Sequence, residues 1–245
     1  MGIIYWIVGI LLIVISIQYI VGPILVFKSQ IFPSKYKFNI LDPEDFLAER
    51  SQTFLELHEL IINNGFEYIG SSELIQSHSS MYFSIYNNFE LKLACTLSTA
   101  HSQPTNSTQI EFTQMYSNGS VINVNNAPLF NIYPATNKKV CFRFPDTNDF
   151  ETLLNMANRI IKSNKKHEER ITFEKGQEIS SIEGHLNTEL GYLIEKGWVA
   201  DKVENNERKL TLLGSILMTW QLCWPIKQIL NAADVSASKK ALNNA

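Results

Sequence analysis

Residues 109–124 read QIEFTQMYSNGSVINV. Ile110 and Phe112 alternate with Glu111 and Thr113, Asn118-Gly119 interrupts, and an apolar run resumes from Val121 to Val124. Side chains along a strand point to its two faces in turn, so this alternation describes a ribbon with one buried and one wet face. Asn and Gly accept the positive φ of a tight turn, and between two such runs they signal a hairpin. Two antiparallel strands are expected here.

The pattern spreads outward. ELKLACTL at residues 90–97 sets Leu91, Leu93, Cys95 and Leu97 on one face, with Lys92, Ala94 and Thr96 on the other. MYFSIY at 81–86 and KKVCFRF at 138–144 read as further strands. An antiparallel sheet with one buried face produces such runs. HSQPTNST at 101–108 and NNAPLFNIYPATN at 125–137 read as loops, since proline disfavours central-strand positions. Glu111 could act as a general base, but the alternation assigns it to the solvated face.

Helices flank the sheet. Within residues 41–65, Asp42 suits an N-cap, Pro43 the first turn, and Glu44 and Asp45 the positive end of the dipole. Phe46, Leu47, Arg50, Phe54, Leu57 and Ile61 share one face, and Gly65 is a stop. Within residues 145–166, Phe150, Leu153, Leu154, Ala157, Ile160 and Ile161 form one stripe, followed by Lys162, Lys165 and Lys166 at the negative end. Helix, strands, helix in that order predicts an α+β fold, an antiparallel sheet flanked by helices.

Before this domain, residues 2–27 carry no charged side chain. The run is long enough for a hydrocarbon core of about 30 Å. No basic residue precedes it and no small-x-small site ends it, so an uncleaved anchor is expected rather than a signal peptide. Gly22-Pro23 would kink its far end or mark the membrane border. Lys28, Lys35 and Lys37 follow the run, which predicts an outward N-terminus and a cytoplasmic main domain.

The C-terminal third contains ISSIEGHLNTELGYLIEKGWVADKVENNERKLTLLG. A helix bearing Ile182, Leu186, Leu190, Leu193 and Ile194, ending at Gly197, is expected to lead into a β-hairpin through ENNE. Leu193, Lys196, Gly197, Trp198, Arg208, Lys209, Leu210, Thr211 and Gly214 resemble the last helix and wing of winged-helix DNA-binding families. Glu183, Glu189, Glu195, Asp201, Glu204 and Glu207 are too acidic for a phosphate-binding surface, so nucleic acid is disfavoured. Next, LTLLGSILMTWQLCWPI runs uncharged between Lys209 and Lys227. It is short for a span, and Leu213, Ile216, Leu217, Trp220 and Trp224 would lie along one face. An interfacial helix beside the anchor is favoured over a core helix or a second span. Its membrane-interface residues would be Trp220, Trp224 and Lys227, with Lys28 at the end of the anchor. The segments IEFTQMYSNG and RKLTLLGSILMTWQLCWP resemble those of uncharacterised bacterial membrane-anchored proteins, a likeness that implies location and no activity.

The expected organisation is a transmembrane anchor at 1–27, a tether at 28–41, an α+β domain at 42–167, and a helix with a wing-like hairpin at 168–213. An interfacial or membrane-associated helix at 214–230 and a small, polar, disordered tail at 231–245 complete it.

Composition narrows the function. The 245 residues are 45% hydrophobic and 18% charged, with a formal net charge of -3. No basic balance points to nucleic acid. Cys95, Cys141 and Cys223 form no CxxC pair and read as buried or lipid-facing thiols. His58, His78, His101, His167 and His185 make no H-E-x-x-H spacing, so no metal is expected. Phosphate-cradling glycine loops and G-x-S-x-G elbows are missing from the sequence, and no cofactor or catalytic residue is assigned. The expected function is a membrane-anchored, cytoplasm-facing, non-enzymatic binding or accessory module, with the lipid bilayer and a protein as partners. The alternatives are a membrane-surface enzyme with a loop-assembled site and a membrane-tethered winged-helix-like regulator.

Overall fold

The computed structural model describes residues 2–76, 79–102, 105–164 and 169–245. The chain is α+β and divides into two compact units. One comprises Met1–Tyr36, Asn131–Pro134 and Leu186–Ala232; the other comprises Lys37–Phe130, Ala135–His185 and Ala233–Ala245. Six domain segments in sequence order thus become two discontinuous units, because each core recruits pieces from distant parts of the chain.

The first unit starts with α1 (Gly2–Ser29), followed closely by β1 (Ile31–Pro33). α1 runs unbroken through Gly22 and Pro23 to Ser29, so no helix end falls at that pair. β1 lies inside the expected tether and is an addition to the sequence reading.

The alternating runs build the second unit. α2 (Pro43–Ala48) and α3 (Gln52–Asn63) precede β2 (Glu67–Gln76), β3 (Ser79–Asn88), β4 (Leu93–Ser102), β5 (Thr105–Tyr116), β6 (Val121–Asn125) and β7 (Lys139–Arg143). Strands β2 to β6 pair antiparallel, each with the next. β7 pairs with β6 in parallel, an addition to the expected antiparallel sheet. Residues 126–138 supply the long crossover that a parallel pair requires. Positions 101–108 were expected to be a loop, yet β4 and β5 continue into them, with His101 opposite Asn106. A long ladder satisfies backbone groups on both strands.

Leu93, Cys95 and Leu97 of β4, Ile110 and Phe112 of β5, and Ile122 and Val124 of β6 line the core face. Leu91 lies in the turn before β4 and is exposed. The core is closed by Phe46, Phe54 and Ile61 and by α4 (Phe150–Ser163), which buries Phe150, Leu153, Ala157, Ile160 and Ile161. Phe66, Phe112 and Phe150 meet ring to ring at 5.5–6.3 Å. Asp42 caps as expected, accepting from Glu44 and Asp45, and Asp149 caps α4, accepting from Thr152. The single helix expected over 41–65 is two. Arg50 folds its guanidinium back onto the Phe46 carbonyl (3.0 Å) and over the Phe46 and Tyr82 rings, and Ser51 caps α3. These contacts explain an arginine on the apolar face.

After the two-residue β8 (Arg170–Ile171), α5 (Glu178–Glu195) passes from the second unit into the first. β9 (Val199–Glu204) and β10 (Glu207–Leu210) form the expected hairpin. Asn205 and Asn206 both hold positive φ (52° and 63°), as a type I′ turn requires. β10 is also paired with β1, giving the order β1-β10-β9, so the wing is one side of a three-stranded sheet. Leu190, Val199 and Leu210 form the core of this unit, and Tyr133 stacks on Trp198 at 5.6 Å.

The chain ends in α6 (Leu212–Leu222) and α7 (Ile226–Asn243). α7 corrects the disordered tail. Its C-terminal half docks within the second unit: Asp234 pairs with buried Arg143 at 2.8 Å, and Ser238 accepts from the Arg143 amide. A polar, small-residue sequence folds here because a buried cation needs a carboxylate.

Candidate functional site

α6 lies along α1, not apart from it. Contacts progress in opposite senses along the two helices: Gly22 meets Thr219, and three residues earlier Tyr19 meets Trp220 and Trp224. The Trp220 indole donates to the Tyr19 carbonyl at 3.3 Å, and the Tyr19 hydroxyl donates to the Trp224 carbonyl at 3.0 Å. The Tyr19 and Trp220 rings meet edge to face at 6.0 Å. A Cβ at Gly22 would stand 2.7 Å from Thr219 Cγ2, so any larger residue would force Thr219 to shift.

The four expected membrane-interface residues fall in two places. Trp220 and Trp224 are exposed beside Tyr19, and Lys227 follows within one turn, at the start of α7. Lys28 is exposed in the last turn of α1, nine residues beyond Tyr19, or about 14 Å by helical rise. Sequence reasoning missed Tyr19. Its only signal was a phenol inside an apolar run, which must find a partner once it leaves water.

The wing's cations are held by its own carboxylates. Arg208 contacts the Asp201 carboxylate at 3.1 Å and the Asp201 backbone carbonyl. Lys202 lies 2.7 Å and Lys209 3.6 Å from Glu204. The hydrogen bond and charge of Lys202 hold the Glu204 carboxyl below its ordinary range, and Glu204 raises Lys202 in return.

In the second unit a groove of about 730 Å³ opens at the N-terminus of α3. Arg50, Ser51, Thr53, Thr99, Thr108 and Asn126 line it. The Arg50 side chain is 6% exposed and bonded to Glu49, so its charge is already matched. The groove offers hydroxyl and amide groups and the Glu49 carboxylate to a small polar ligand.

The candidate chemical groups are occupied structurally. Burial pushes the Cys95 thiol far up, and burial followed by the Glu111 charge pushes Cys141 up to about 12. Neither is a thiolate nucleophile at neutral pH. Glu111, expected in solvent, is half-buried and accepts from the Asn125 amide at 2.9 Å. It belongs to a cross-strand polar row of Thr96, Glu111, Asn125 and Arg143. His58 is buried with its Nδ1 2.7 Å from the Tyr86 hydroxyl, and burial lowers its pKa. His78 and His167 lie outside the described residues, as does the side chain of His101. Among the described residues no three His, Cys, Asp or Glu side chains cluster as a metal site.

The chain matches no protein-family model, no curated protein and no solved structure.

Proposed function

We propose that this protein is a membrane-anchored binding module, with α1 spanning the bilayer and the second unit on the cytoplasmic side. The observation that carries the reading is the exposure of α1. Its segment Ile4–Ser29 is long and apolar enough to cross a membrane, and only 6% of its most apolar window is buried. Ile7, Ile10, Ile13, Ile17 and Ile20 are all more than half exposed, a surface that water would not tolerate and lipid would cover. Lys28, Lys35 and Lys37 at its C-terminal side support the orientation. The role proposed for the second unit is recognition, not catalysis, with the groove at Arg50 and Ser51 as the place for a polar ligand or a partner's side chains. The self-paired charges of the wing weigh against a nucleic-acid partner.

The test is topology in intact cells. With the native cysteines replaced by alanine, single cysteines at Gly2 and at Asn118, in the β5–β6 turn, are treated with a membrane-impermeant thiol reagent. Labelling at Gly2 with shielding at Asn118 is expected. The reverse pattern would overturn the orientation, and an intact mass lacking α1 would overturn the anchor.

A further inference from the structure

We infer that α6 is a second membrane element, a wedge inserted beside α1 into the leaflet on the Lys28 side; this rests on α1 being the anchor. A helix of a water-soluble unit buries large apolar side chains and turns small polar ones outward. α6 does the reverse. Gly214, Ser215 and Thr219 are buried, while Leu212, Leu213 and Trp220 are exposed at 54%, 56% and 46%, as is Trp224 just past its end. In lipid there is no gain in hiding leucine between helices, so small residues that allow close approach take the interface. Gly22 against Thr219 is such a contact.

The polar groups of the pair support the same surroundings. The Thr219 hydroxyl donates to the Ser215 carbonyl at 2.7 Å, and the Ser215 hydroxyl to the Thr211 carbonyl at 2.9 Å. Tyr19 and Trp220 bond across the helices, as described above. A medium without water demands this internal pairing. Ile20, Ile24 and Leu25 of α1 are also exposed and add to the apolar surface that the pair offers to acyl chains.

Length sets the depth. Eleven residues rise about 16 Å, roughly half of a ~30 Å hydrocarbon core. Pro225 follows the end of α6, and Lys227 opens α7, which leads the chain back out. The chain therefore enters and leaves on one side, and α6 is not a second span. Because Thr211 joins β10 directly to α6, the wedge would hold the three-stranded sheet at the membrane surface.

The full-length chain in dioleoyl phosphatidylcholine vesicles tests this. An environment-sensitive fluorophore is placed on single cysteines at Leu213, Leu217, Ile13 and Asn205. Brominated acyl chains should quench the first three alike and spare Asn205, and aqueous iodide should do the opposite. Quenching at Ile13 with iodide access at Leu213 and Leu217 would defeat the wedge and leave the anchor standing. No lipid quenching at Ile13 would defeat the anchor reading, and the wedge with it. Protection of Leu213 from both quenchers would mean a second protein copy covers α6, which also overturns the proposal.

Discussion

Replacing Asp234 by alanine would remove the carboxylate that the Arg143 guanidinium, whose side chain is 2% exposed, bonds at 2.8 Å. Arg143 keeps a bond to the Ala127 carbonyl at 3.0 Å, which offsets part of the loss but carries no charge. Breaking one side of a buried ion pair costs about 3–5 kcal/mol. Asp234 itself remains 35% exposed, so water already screens its end, and the expected loss falls to about 2–3 kcal/mol. That loss should appear first in α7, because Asp234 and Ser238 are its ties to β7. Leu242, packed at the core, and Arg159, donating to the Leu242 carbonyl, hold its last turn more independently. Hydrogen exchange of the full chain in detergent micelles reads the effect: amides 234–241 should lose protection by about 30- to 150-fold, the same energy expressed as an equilibrium. Arg143→Met alone and with Asp234→Ala completes a double-mutant cycle. Residues in direct contact should couple by about 1–3 kcal/mol. Additive effects, or unchanged α7 exchange in Asp234→Ala, would refute the argument that this pair docks the helix.

Three further outcomes are expected. Tyr86→Phe leaves His58 Nδ1 without its buried partner and should cost about 1–3 kcal/mol in urea unfolding. Burial lowers the pKa of His58, so below the ordinary histidine value of about 6.5 the unfolded chain binds a proton that the folded chain refuses. Stability should therefore fall as pH drops below that value, and His58→Gln should flatten this part of the profile. Cys95 and Cys141, pushed up by burial, should resist iodoacetamide at pH 7.5 in the folded chain and react once it is denatured, as mass spectrometry would show. Gly214→Ala would drive a Cβ into the Trp198 carbonyl, whereas Asn206→Gly suits the positive φ of its turn. The first should destabilise by about 1–3 kcal/mol and the second should be neutral or mildly stabilising, both measured by thermal melting.

What the sequence determined by itself was local. The alternation of Leu93, Cys95 and Leu97, the Asn118-Gly119 turn, the cap Asp42 and the stripe from Phe150 to Ile161 were all legible, because burial follows the period of the element that carries it. The apolar run of α1, uncharged from residue 2 to 27, was legible from composition and length. The tertiary structure alone decided what met what. The break before Ser51 depends on the Tyr82 ring, a strand away from Arg50. β1 exists because residues 207–209 pair with it, and α7 is ordered because Arg143 lies 91 residues before Asp234. Tyr19 joins the candidate site through bonds spanning 201 and 205 residues. The face of α6 that is buried was equally hidden: periodicity marks its apolar side, but only Gly22 opposite Thr219 shows that the small polar side faces protein. Periodicity reports that a residue will be covered; a charge or a hydrogen bond that needs a distant partner leaves no periodic trace, and it takes the folded chain to supply that partner.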